Sequence, residues 1–222
     1  WVPGCSTGEE AYSIAMLLQE QVEAHKLGLK IQVFATDIDR EAIDKARAGV
    51  YPDSIAADIS PERLARFFHQ EDTAYRIKKL IRDLVVFAVQ NVVEDPPFSK
   101  IDLISCRNLL IYMGPELQRK VVPLFHYALN QDGFLFLGNS ETIGEFVDLF
   151  AAQDRKWRLY QRKGSATPRV AIHDFSSPSF IQGERPRWGA KPDESAAKIG
   201  VRELAQQALL AHYTPACAII NE

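Results

Sequence analysis

The sequence predicts an α/β fold, in which a mostly parallel sheet carries helices on both faces. Strand-length and helical patterns alternate along the first 163 residues, and such alternation is typical of parallel strands joined by helices. Two of the strand runs, "LVVFAVQN" and "IDLISCRN", are almost continuously apolar, as expected of strands buried on both faces. A composition of 46% hydrophobic and 25% charged residues is ordinary for a globular domain with its own core.

The predicted elements follow one another in a regular order. The loop "GCSTG" precedes a helix predicted over residues 10–24, where apolar side chains recur every three or four positions. "KIQVFATDID" is a strand ending in acids, after which Asp39 is placed to cap the next helix and Gly49 to end it. After the two apolar strands, "PELQRKVVPLFHYALNQDG" predicts a helix with Pro115 in its first turn and Gly133 just past its end. "FLFLGNSE" and "KWRLYQRK" are the last predicted strands.

Two stretches interrupt this alternation. Residues 50–83 contain a helix that starts at Pro61 and a small hairpin around "AYRIKKLIRD", which together predict a small subdomain inserted into the α/β fold. Residues 164–198 are rich in proline, serine, glycine and charge, and this composition predicts a linker. Residues 199–222 offer a short amphipathic helix and the start of a strand, a pattern similar to the opening of a PAS domain.

Charge and cysteine content exclude several classes of function. The net charge of −3 provides no general attraction to nucleic acid or to an anionic membrane. No apolar run approaches the roughly 18 residues that a membrane span needs, so we expect no membrane insertion. The three cysteines show no CxxC spacing and the five histidines no metal-ligand spacing. These patterns favour reduced thiols, a cytoplasmic location and no metal site.

The glycine loop and the acid after the second strand together indicate the ligand. Glu9 and Glu10 follow the loop where a phosphate-binding P-loop would have Lys and Ser or Thr. Asp37 is placed to reach the hydroxyls of a ribose at the carboxyl end of its strand. The pyrophosphate of NAD would be repelled by Glu9, whereas S-adenosylmethionine has no phosphate and carries two cationic centres. The alternative is that the two glutamates only complement the helix dipole.

Four segments carry a resemblance to a known family. "WVPGCSTGEEAYSIAMLL", "FATDIDREAIDKARAGVY", "FSKIDLISCRNLLIYM" and "FLFLGNSET" closely resemble the CheR family of S-adenosylmethionine-dependent methyltransferases, which esterify glutamates on chemoreceptors. The resemblance implies a class I (Rossmann-like) methyltransferase fold over residues 1–163, with seven strands and an antiparallel last hairpin. The chain is more similar to CheB–CheR–PAS fusion proteins than to stand-alone enzymes in three features: the segment "WVPGC", the linker and the PAS-like end.

The resemblance also implies which residues form the site. Those expected to bind the cofactor are Gly4, Glu9, Asp37, Asn91, Val92, Arg107 and Asn108. In this assignment Asp37 holds the ribose, Asn91 and Val92 flank the adenine, and Arg107 and Asn108 line the pocket near the methionine part. Tyr112 is assigned to the methyl-transfer centre, and Arg107 is its catalytic neighbour. The alternatives are that Tyr112 is a buried packing aromatic and that Arg107 belongs to a surface ion pair.

The sequence departs from the family pattern in two places. The family's N-terminal helical domain, with its arginine motif, has no counterpart before Trp1, so the activity of this chain by itself is an open question. The insertion has only a short loop without glycine in "FFHQEDTAYRI". Family members that dock on a receptor's C-terminal pentapeptide carry a longer loop there. The resemblance therefore favours pentapeptide-independent recognition of the cytoplasmic domains of chemoreceptors, by a protein that also carries CheB-like and PAS domains.

Two other functions remain open from the sequence. The chain could be a non-catalytic sensory or docking module that binds the cofactor. It could also be an amino-methyltransferase that uses "DPPF", residues 95–98, although in such enzymes this motif directly follows the fourth strand. A glutamate acceptor is already ionised at neutral pH and needs no general base. The absence of a His/Asp pair among the motifs therefore favours a carboxylate acceptor.

Overall fold

The structure is a computed structural model that describes residues 1–164. The linker predicted at 164–198, beyond its first residue, and the PAS-like segment at 199–222 lie outside the described residues. The strands are β1 (Val2–Pro3), β2 (Val33–Asp37), β3 (Val50–Pro52), β4 (Phe68–Glu71), β5 (Ala74–Ile77), β6 (Val85–Val89), β7 (Ile101–Cys106), β8 (Leu129–Leu137), β9 (Phe150–Asp154) and β10 (Leu159–Arg162). The helices are α1 (Glu9–Ala24), α2 (Arg40–Ala48), α3 (Pro61–Phe67), α4 (Lys79–Arg82) and α5 (Pro115–Ala128).

Seven of these strands lie side by side in the order β6-β2-β1-β7-β8-β10-β9. The first three strands are parallel to one another, and the last four form a second hydrogen-bonded set. In this second set β7, β8 and β9 run in one direction, and β10 runs in the opposite direction between β8 and β9. Trp1 joins the two sets: its amino group donates to the Leu103 carbonyl at 2.8 Å, and its own carbonyl accepts from the Ser105 N–H at 2.9 Å. The mostly parallel sheet and the antiparallel last hairpin are confirmed.

Hydrophobic cores cover the two faces of this sheet. One cluster packs α5 on the strands through residues such as Val121 and Phe125, and Trp1 meets the Phe125 ring edge-on at 5.8 Å. The other cluster packs α1 and α2, with fully buried side chains such as Tyr12 and Ile43. Because the two cores cover the faces of the sheet, the ends of its strands are the part that remains available for polar residues.

The ends of α2 have the chemistry that the sequence predicts. The Asp39 side chain accepts from the N–H groups of Glu41 and Ala42, which satisfies the free donors of the first turn. Gly49 ends the helix in the left-handed conformation, with φ of 60°, which residues with a Cβ adopt only at a cost.

The inserted elements form a small antiparallel sheet of order β3-β5-β4 with α3 and α4. The hairpin was predicted around "AYRIKKLIRD", but its strands are β4 and β5, joined by a two-residue turn at Asp72 and Thr73. "KKLIRD" contains the helical turn α4 instead, and its Ile81 side chain is buried in the core.

The helix predicted to run up to Gly133 is too long. The helix ends at Ala128, and Leu129 already pairs with Ile101 as the first residue of β8. A Cβ at Gly133 would lie 3.0 Å from the carbonyl oxygen of Asn130, so this glycine permits a close approach of backbone inside a strand with an irregular register. The sequence analysis also missed β9, in which only Phe150 is buried.

Residues 1–164 contain no candidate membrane span and no candidate metal-binding cluster. None of the described helices combines the length and apolar character needed to span a bilayer. The same residues contain no group of three or more His, Cys, Asp and Glu side chains arranged to hold a metal ion.

A buried histidine makes stability depend on pH. His126 is 0% exposed, and its Nε2 donates to the Lys163 carbonyl at 3.1 Å, while its Nδ1 has no partner among the described residues. Burial lowers the pKa of His126; the bond to Lys163 opposes this shift and the charge of Arg162 adds to it. The unfolded chain therefore takes up a proton more readily than the folded chain.

We expect the free energy of unfolding to fall as the pH decreases through about 6.5, the ordinary histidine pKa. His126→Gln, which keeps a donor for Lys163, should flatten this dependence, whereas the same change at the exposed His69 should not. Urea unfolding at pH 7.5 and pH 5.5 measures both. An equal pH dependence in His126→Gln and the unmodified chain would show that His126 does not control it.

Candidate functional site

The carboxyl ends of four strands meet at one edge of the sheet. Pro3 at the end of β1 lies opposite Thr36 of β2, and Asp37 at the end of β2 lies opposite Val89 at the end of β6. Strand β7 ends beside β1 and leads into residues 107–112, which we call segment 107–112. Loops from the carboxyl ends of neighbouring parallel strands form the usual ligand site of such sheets.

The glycine loop is a compact turn against the end of β2. Gly4, Ser6 and Gly8 all have positive φ, of 70°, 47° and 93°. The Cys5 N–H donates to the Thr36 carbonyl, and the Gly8 N–H donates to the Cys5 carbonyl, both at 2.9 Å. A side chain on Gly8 would collide with Ala46 and Phe87. Glycine is therefore required at this position both by the positive φ and by the lack of space.

Asp37 connects the loop to the end of β2. Its Oδ2 accepts from the Ser6 N–H at 2.8 Å, and its Oδ1 accepts from the Asp39 N–H at 3.0 Å. An ionised carboxylate has about four acceptor positions, so two remain for the hydroxyls of a ligand. The structure thus brings Asp37 together with the loop of Gly4, as the sequence analysis expected.

The two glutamates after the loop have different surroundings. Glu9 is exposed, accepts from the Thr7 hydroxyl at 2.7 and 2.8 Å, and lines a cavity of about 130 Å³ between α1 and the inserted elements. Glu10 is half-buried, and its Oε1 accepts from the Ser105 hydroxyl of β7 at 2.5 Å. Burial raises the pKa of Glu10, and the hydrogen bond from Ser105 and the charge of Arg107 oppose this rise. Glu10 is therefore the glutamate that faces the end of β7, and no feature of the sequence distinguishes it from Glu9.

The residues after β6 form a tight turn beside Asp37. The Gln90 N–H donates to the Asp37 carbonyl at 2.9 Å, and the Asn91 side chain accepts from the Val93 N–H at 3.0 Å. Val92, 9% exposed, packs into the hydrophobic core. The Gln90 Oε1 is buried and has no partner among the described residues. This turn therefore holds an unsatisfied acceptor at the same edge as Asp37.

Arg107 follows β7 and is half-buried. Its guanidinium lies over the Phe136 ring, 5.1 Å from the ring centre, and its Nε is buried without a partner among the described residues. Within residues 1–164 no carboxylate lies in ion-pair range of this side chain. The alternative of a surface ion pair is wrong. A half-buried cation that retains a free donor is placed to bind a carboxylate of a ligand.

Asn108 and Tyr112 lie on the solvent side of segment 107–112. Asn108 is exposed and adopts a left-handed backbone with φ of 59°, a conformation that Asn tolerates better than most residues. Tyr112 is 81% exposed at the end of a short 3₁₀ turn, Leu110–Tyr112. The alternative of a buried packing aromatic is therefore wrong for Tyr112.

Sequence reasoning missed Glu141, the one carboxylate that is buried among the described residues. Glu141 is 3% exposed and accepts four backbone N–H groups, three of them from segment 107–112. The three partners in segment 107–112 lie about thirty residues earlier in the chain, so no local pattern reveals them. The only nearby signal is Gly138, where a Cβ would lie 2.8 Å from the Glu141 Oε2.

The charges at this edge suit a ligand with a cationic centre and a carboxylate. Asp37, Glu10 and Glu141 bring acidic groups to it, and Arg107 provides a donor without a protein partner. The two cationic centres of S-adenosylmethionine complement the acids. Its ribose hydroxyls complement the free acceptor positions of Asp37, and its carboxylate complements the free donor of Arg107. The residues present fit this cofactor.

Strand order, glycine loop and acid after β2 together define a class I S-adenosylmethionine-dependent methyltransferase fold. The chain belongs to the CheR methyltransferase family: residues 1–159 match that family's description, "CheR methyltransferase, SAM binding domain". S-adenosylmethionine is therefore the cofactor of this domain.

Curated relatives are similar to a large part of the chain. An uncharacterised 104.1 kDa protein of Rhodobacter capsulatus is 41% identical over 168 residues, which are 75% of this chain and 18% of that protein. A chemotaxis protein methyltransferase of Borreliella burgdorferi is 35% identical over 64% of this chain and 52% of its own length. A putative methyltransferase, Cher3, of Pseudomonas putida is 39% identical over 70% and 57%. The chain thus spans about half the length of the latter two relatives and much less of the first.

Proposed function

We propose that this chain is the cofactor-binding and methyl-transferring part of a protein that converts glutamate side chains of chemoreceptors into methyl esters. The observation that supports this most strongly is the convergence of Asp37, Glu10 and Arg107 at one edge of the sheet in a member of the CheR family. The Borreliella burgdorferi relative, named chemotaxis protein methyltransferase, supports the same class of substrate.

Each residue of the site has a proposed role in holding the cofactor. Asp37 accepts from the ribose hydroxyls, and the glycine loop of Gly4 and Glu9 packs against the methionine part. Asn91 and Val92 flank the adenine through the turn after β6. Arg107 binds the cofactor carboxylate, and Asn108 lines the pocket beside it. When bound, S-adenosylmethionine supplies an electrophilic methyl group on a sulfonium.

The acceptor needs alignment more than activation. A glutamate side chain is ionised at neutral pH and is already a nucleophile, so the protein has only to orient it in line with the methyl and exclude water. Tyr112 is exposed at the end of segment 107–112, and its proposed catalytic role is to donate a hydrogen bond to an incoming carboxylate. Arg107 is proposed to attract the negatively charged carboxylate of the acceptor glutamate.

The amino-methyltransferase alternative is disfavoured by the packing of "DPPF". Phe98 stacks on Phe34 with ring centres 4.8 Å apart and meets the Trp1 ring edge-on at 5.2 Å. Asp95 accepts from the Asn91 N–H at 2.8 Å, and the Pro96 carbonyl accepts from the Gln90 side chain. These residues therefore close the turn after β6 and pack the core, which leaves no ring free to hold a target base.

The second candidate is a module that binds the cofactor without catalysing transfer. The chain covers about half of the Borreliella burgdorferi chemotaxis protein methyltransferase, so cofactor binding and transfer need separate measurement. Binding of S-adenosylhomocysteine to the 222-residue chain, combined with no methylation of receptors by the full-length protein, would favour this module.

Partners and domain organisation belong to the same proposal. The two-residue turn between β4 and β5 leaves no extended loop for a tethering peptide, which supports pentapeptide-independent binding to the cytoplasmic domains of chemoreceptors. We place the methyltransferase domain at 1–163, a linker at 164–198 and the start of a PAS domain at 199–222, in a cytoplasmic protein that also carries a CheB-like domain. The 104.1 kDa size of the Rhodobacter capsulatus relative, of which the alignment covers 18%, supports a large multidomain context.

The stability of the product to alkali tests the proposed acceptor. The full-length protein, tritiated S-adenosylmethionine and receptor-containing membranes should give a methyl ester, which mild alkali converts to volatile methanol. A methyl on nitrogen would survive this treatment, so alkali-stable label would overturn the glutamate assignment. Tyr112→Phe should retain cofactor affinity and lower turnover, because its hydroxyl is proposed to act on the acceptor. Full turnover in Tyr112→Phe would remove that role alone.

A further inference from the structure

Glu141 anchors the segment that carries the proposed site residues. It lies four residues after the end of β8, is 3% exposed and forms no ion pair with any residue in 1–164. Its Oε1 accepts from the Leu110 N–H at 2.7 Å and the Ile111 N–H at 3.4 Å. Its Oε2 accepts from the Asn108 N–H at 3.1 Å and the Gly138 N–H at 2.7 Å. Every short contact of this carboxylate is thus to backbone.

A buried carboxylate is costly unless its oxygens are hydrogen-bonded, and here the donors come from both sides of the site. Gly138 belongs to the end of β8, whereas the other three donors belong to segment 107–112. The carboxylate therefore joins two neighbouring strand ends, β7 and β8, that no backbone hydrogen bond connects beyond Leu137. It also satisfies the N–H group of the left-handed Asn108 and the free N–H groups at the start of the 3₁₀ turn Leu110–Tyr112.

Gly138 fits this arrangement. A Cβ built there would lie 2.8 Å from the Glu141 Oε2 and 3.2 Å from the Asn108 nitrogen. The backbone of Gly138 is not in the left-handed region, so its lack of a side chain serves space and not conformation. The glycine leaves room for the carboxylate to reach segment 107–112.

From this geometry we infer that Glu141 is a positioning residue for methyl transfer: it holds segment 107–112, and with it Arg107 and Tyr112, in the conformation that the cofactor and the acceptor require. Glu141 touches neither of these side chains and acts through the backbone of their neighbours. This inference rests on the proposed function, because the importance of the segment depends on its binding the cofactor.

The chemistry of the contact predicts which replacement fails. All four partners are donors, so both oxygens must be acceptors, which only the ionised carboxylate provides. In Glu141→Gln one oxygen is replaced by an NH₂ group, which faces two N–H donors and can accept from neither. We expect Glu141→Gln to bind S-adenosylhomocysteine at least tenfold more weakly than the unmodified chain. The exchange of the Asn108, Leu110 and Ile111 amides should accelerate by a similar factor.

Gly138→Ala gives an independent variant, since it leaves Glu141 in place and removes only the room for it. We expect the same loss of affinity and the same pattern of amide exchange. Phe150→Leu is the control: Phe150 is buried in β9, two strands away from β8 in the sheet, and its shortening lowers thermal stability without removing a hydrogen bond to the segment. At an equal loss of thermal stability, Phe150→Leu should retain the affinity of the unmodified chain.

Calorimetric titration and amide exchange read by mass spectrometry measure the two effects in the 222-residue chain. Affinity within twofold of the unmodified chain in both Glu141→Gln and Gly138→Ala would overturn the positioning role, even if the amides exchange faster. Equal weakening in Phe150→Leu would also overturn it, because general loss of stability would then explain the effect. If the unmodified chain binds no S-adenosylhomocysteine, the proposed function fails for this chain, whereas unchanged amide exchange in Glu141→Gln refutes the anchor itself.

Discussion

Asp37→Ala is expected to weaken the binding of S-adenosylmethionine and S-adenosylhomocysteine alike, by about 10- to 150-fold. The reason is the loss of a charge-assisted hydrogen bond to the ribose, which contributes about 1.5–3 kcal/mol when one partner is ionised. Both ligands carry the same ribose, so the ratio of their affinities should not change. Calorimetric titration of the two ligands measures the effect directly.

The same replacement should change stability only slightly. Asp37 accepts from the Ser6 and Asp39 N–H groups in an exposed setting, where water can replace the lost acceptor. Asp39→Ala is the matched control because Asp39 lies two residues away, caps α2 and is outside the proposed site. It should cost about 1 kcal/mol of stability and leave affinity intact. Unchanged affinity in Asp37→Ala would remove Asp37 from the site.

The sequence predicted those parts of the fold that depend on local chemistry. Asp39 and Gly49 delimit α2 because a capping carboxylate and a left-handed glycine act on their immediate neighbours. The buried strands β6 and β7 were visible as apolar runs, since a strand covered on both faces needs apolar side chains throughout. The position of Asp37 beside the glycine loop followed from the rule that parallel strands present their carboxyl ends together.

The parts that the sequence did not predict depend on contacts between distant segments. Leu129 extends a strand and not a helix because Ile101 lies opposite it, and helical patterns alone contain no information about that partner. Glu10 and Glu9 are adjacent and identical in type, so only the position of Ser105 distinguishes them. Glu141 receives its role from three N–H groups of segment 107–112, and an isolated "NSE" triplet gives no indication of them.

The alternatives for Arg107 and Tyr112 were separated by burial. An arginine at the end of a buried strand can pair with a surface acid or face the ligand, and the free buried Nε of Arg107 distinguishes the two. A tyrosine in an apolar run is most often a core residue, yet the chain turns sharply at Leu110–Tyr112 and leaves this ring in solvent. Packing requires neither the exposed ring of Tyr112 nor the unpartnered Nε of Arg107, so both residues stay in the proposed site.

Gly8→Ala should cause the largest loss of stability among single-methyl changes in the glycine loop. Gly8 has φ of 93°, and a Cβ there would lie 2.9 Å from the Ala46 Cβ and 3.1 Å from the Phe87 ring. The left-handed backbone costs a residue with a Cβ about 1–2 kcal/mol. Overpacking against α2 and β6 adds about 1–3 kcal/mol, because neither the helix nor the strand can move freely. We therefore expect the free energy of unfolding to fall by about 2–5 kcal/mol.

Gly144→Ala separates the two causes, since Gly144 also has a positive φ, of 56°, but no atom lies within 4 Å of its added Cβ. This variant should lose only the conformational part, about 1–2 kcal/mol, and should bind S-adenosylhomocysteine like the unmodified chain. Gly8→Ala should also bind more weakly, because displacement of the loop moves the Ser6 N–H away from Asp37. Urea unfolding with an unchanged slope measures the stabilities. Equal losses in the two variants would show that the contacts with Ala46 and Phe87 relax at no cost, and the loop would then tolerate a side chain where the structure leaves it no room.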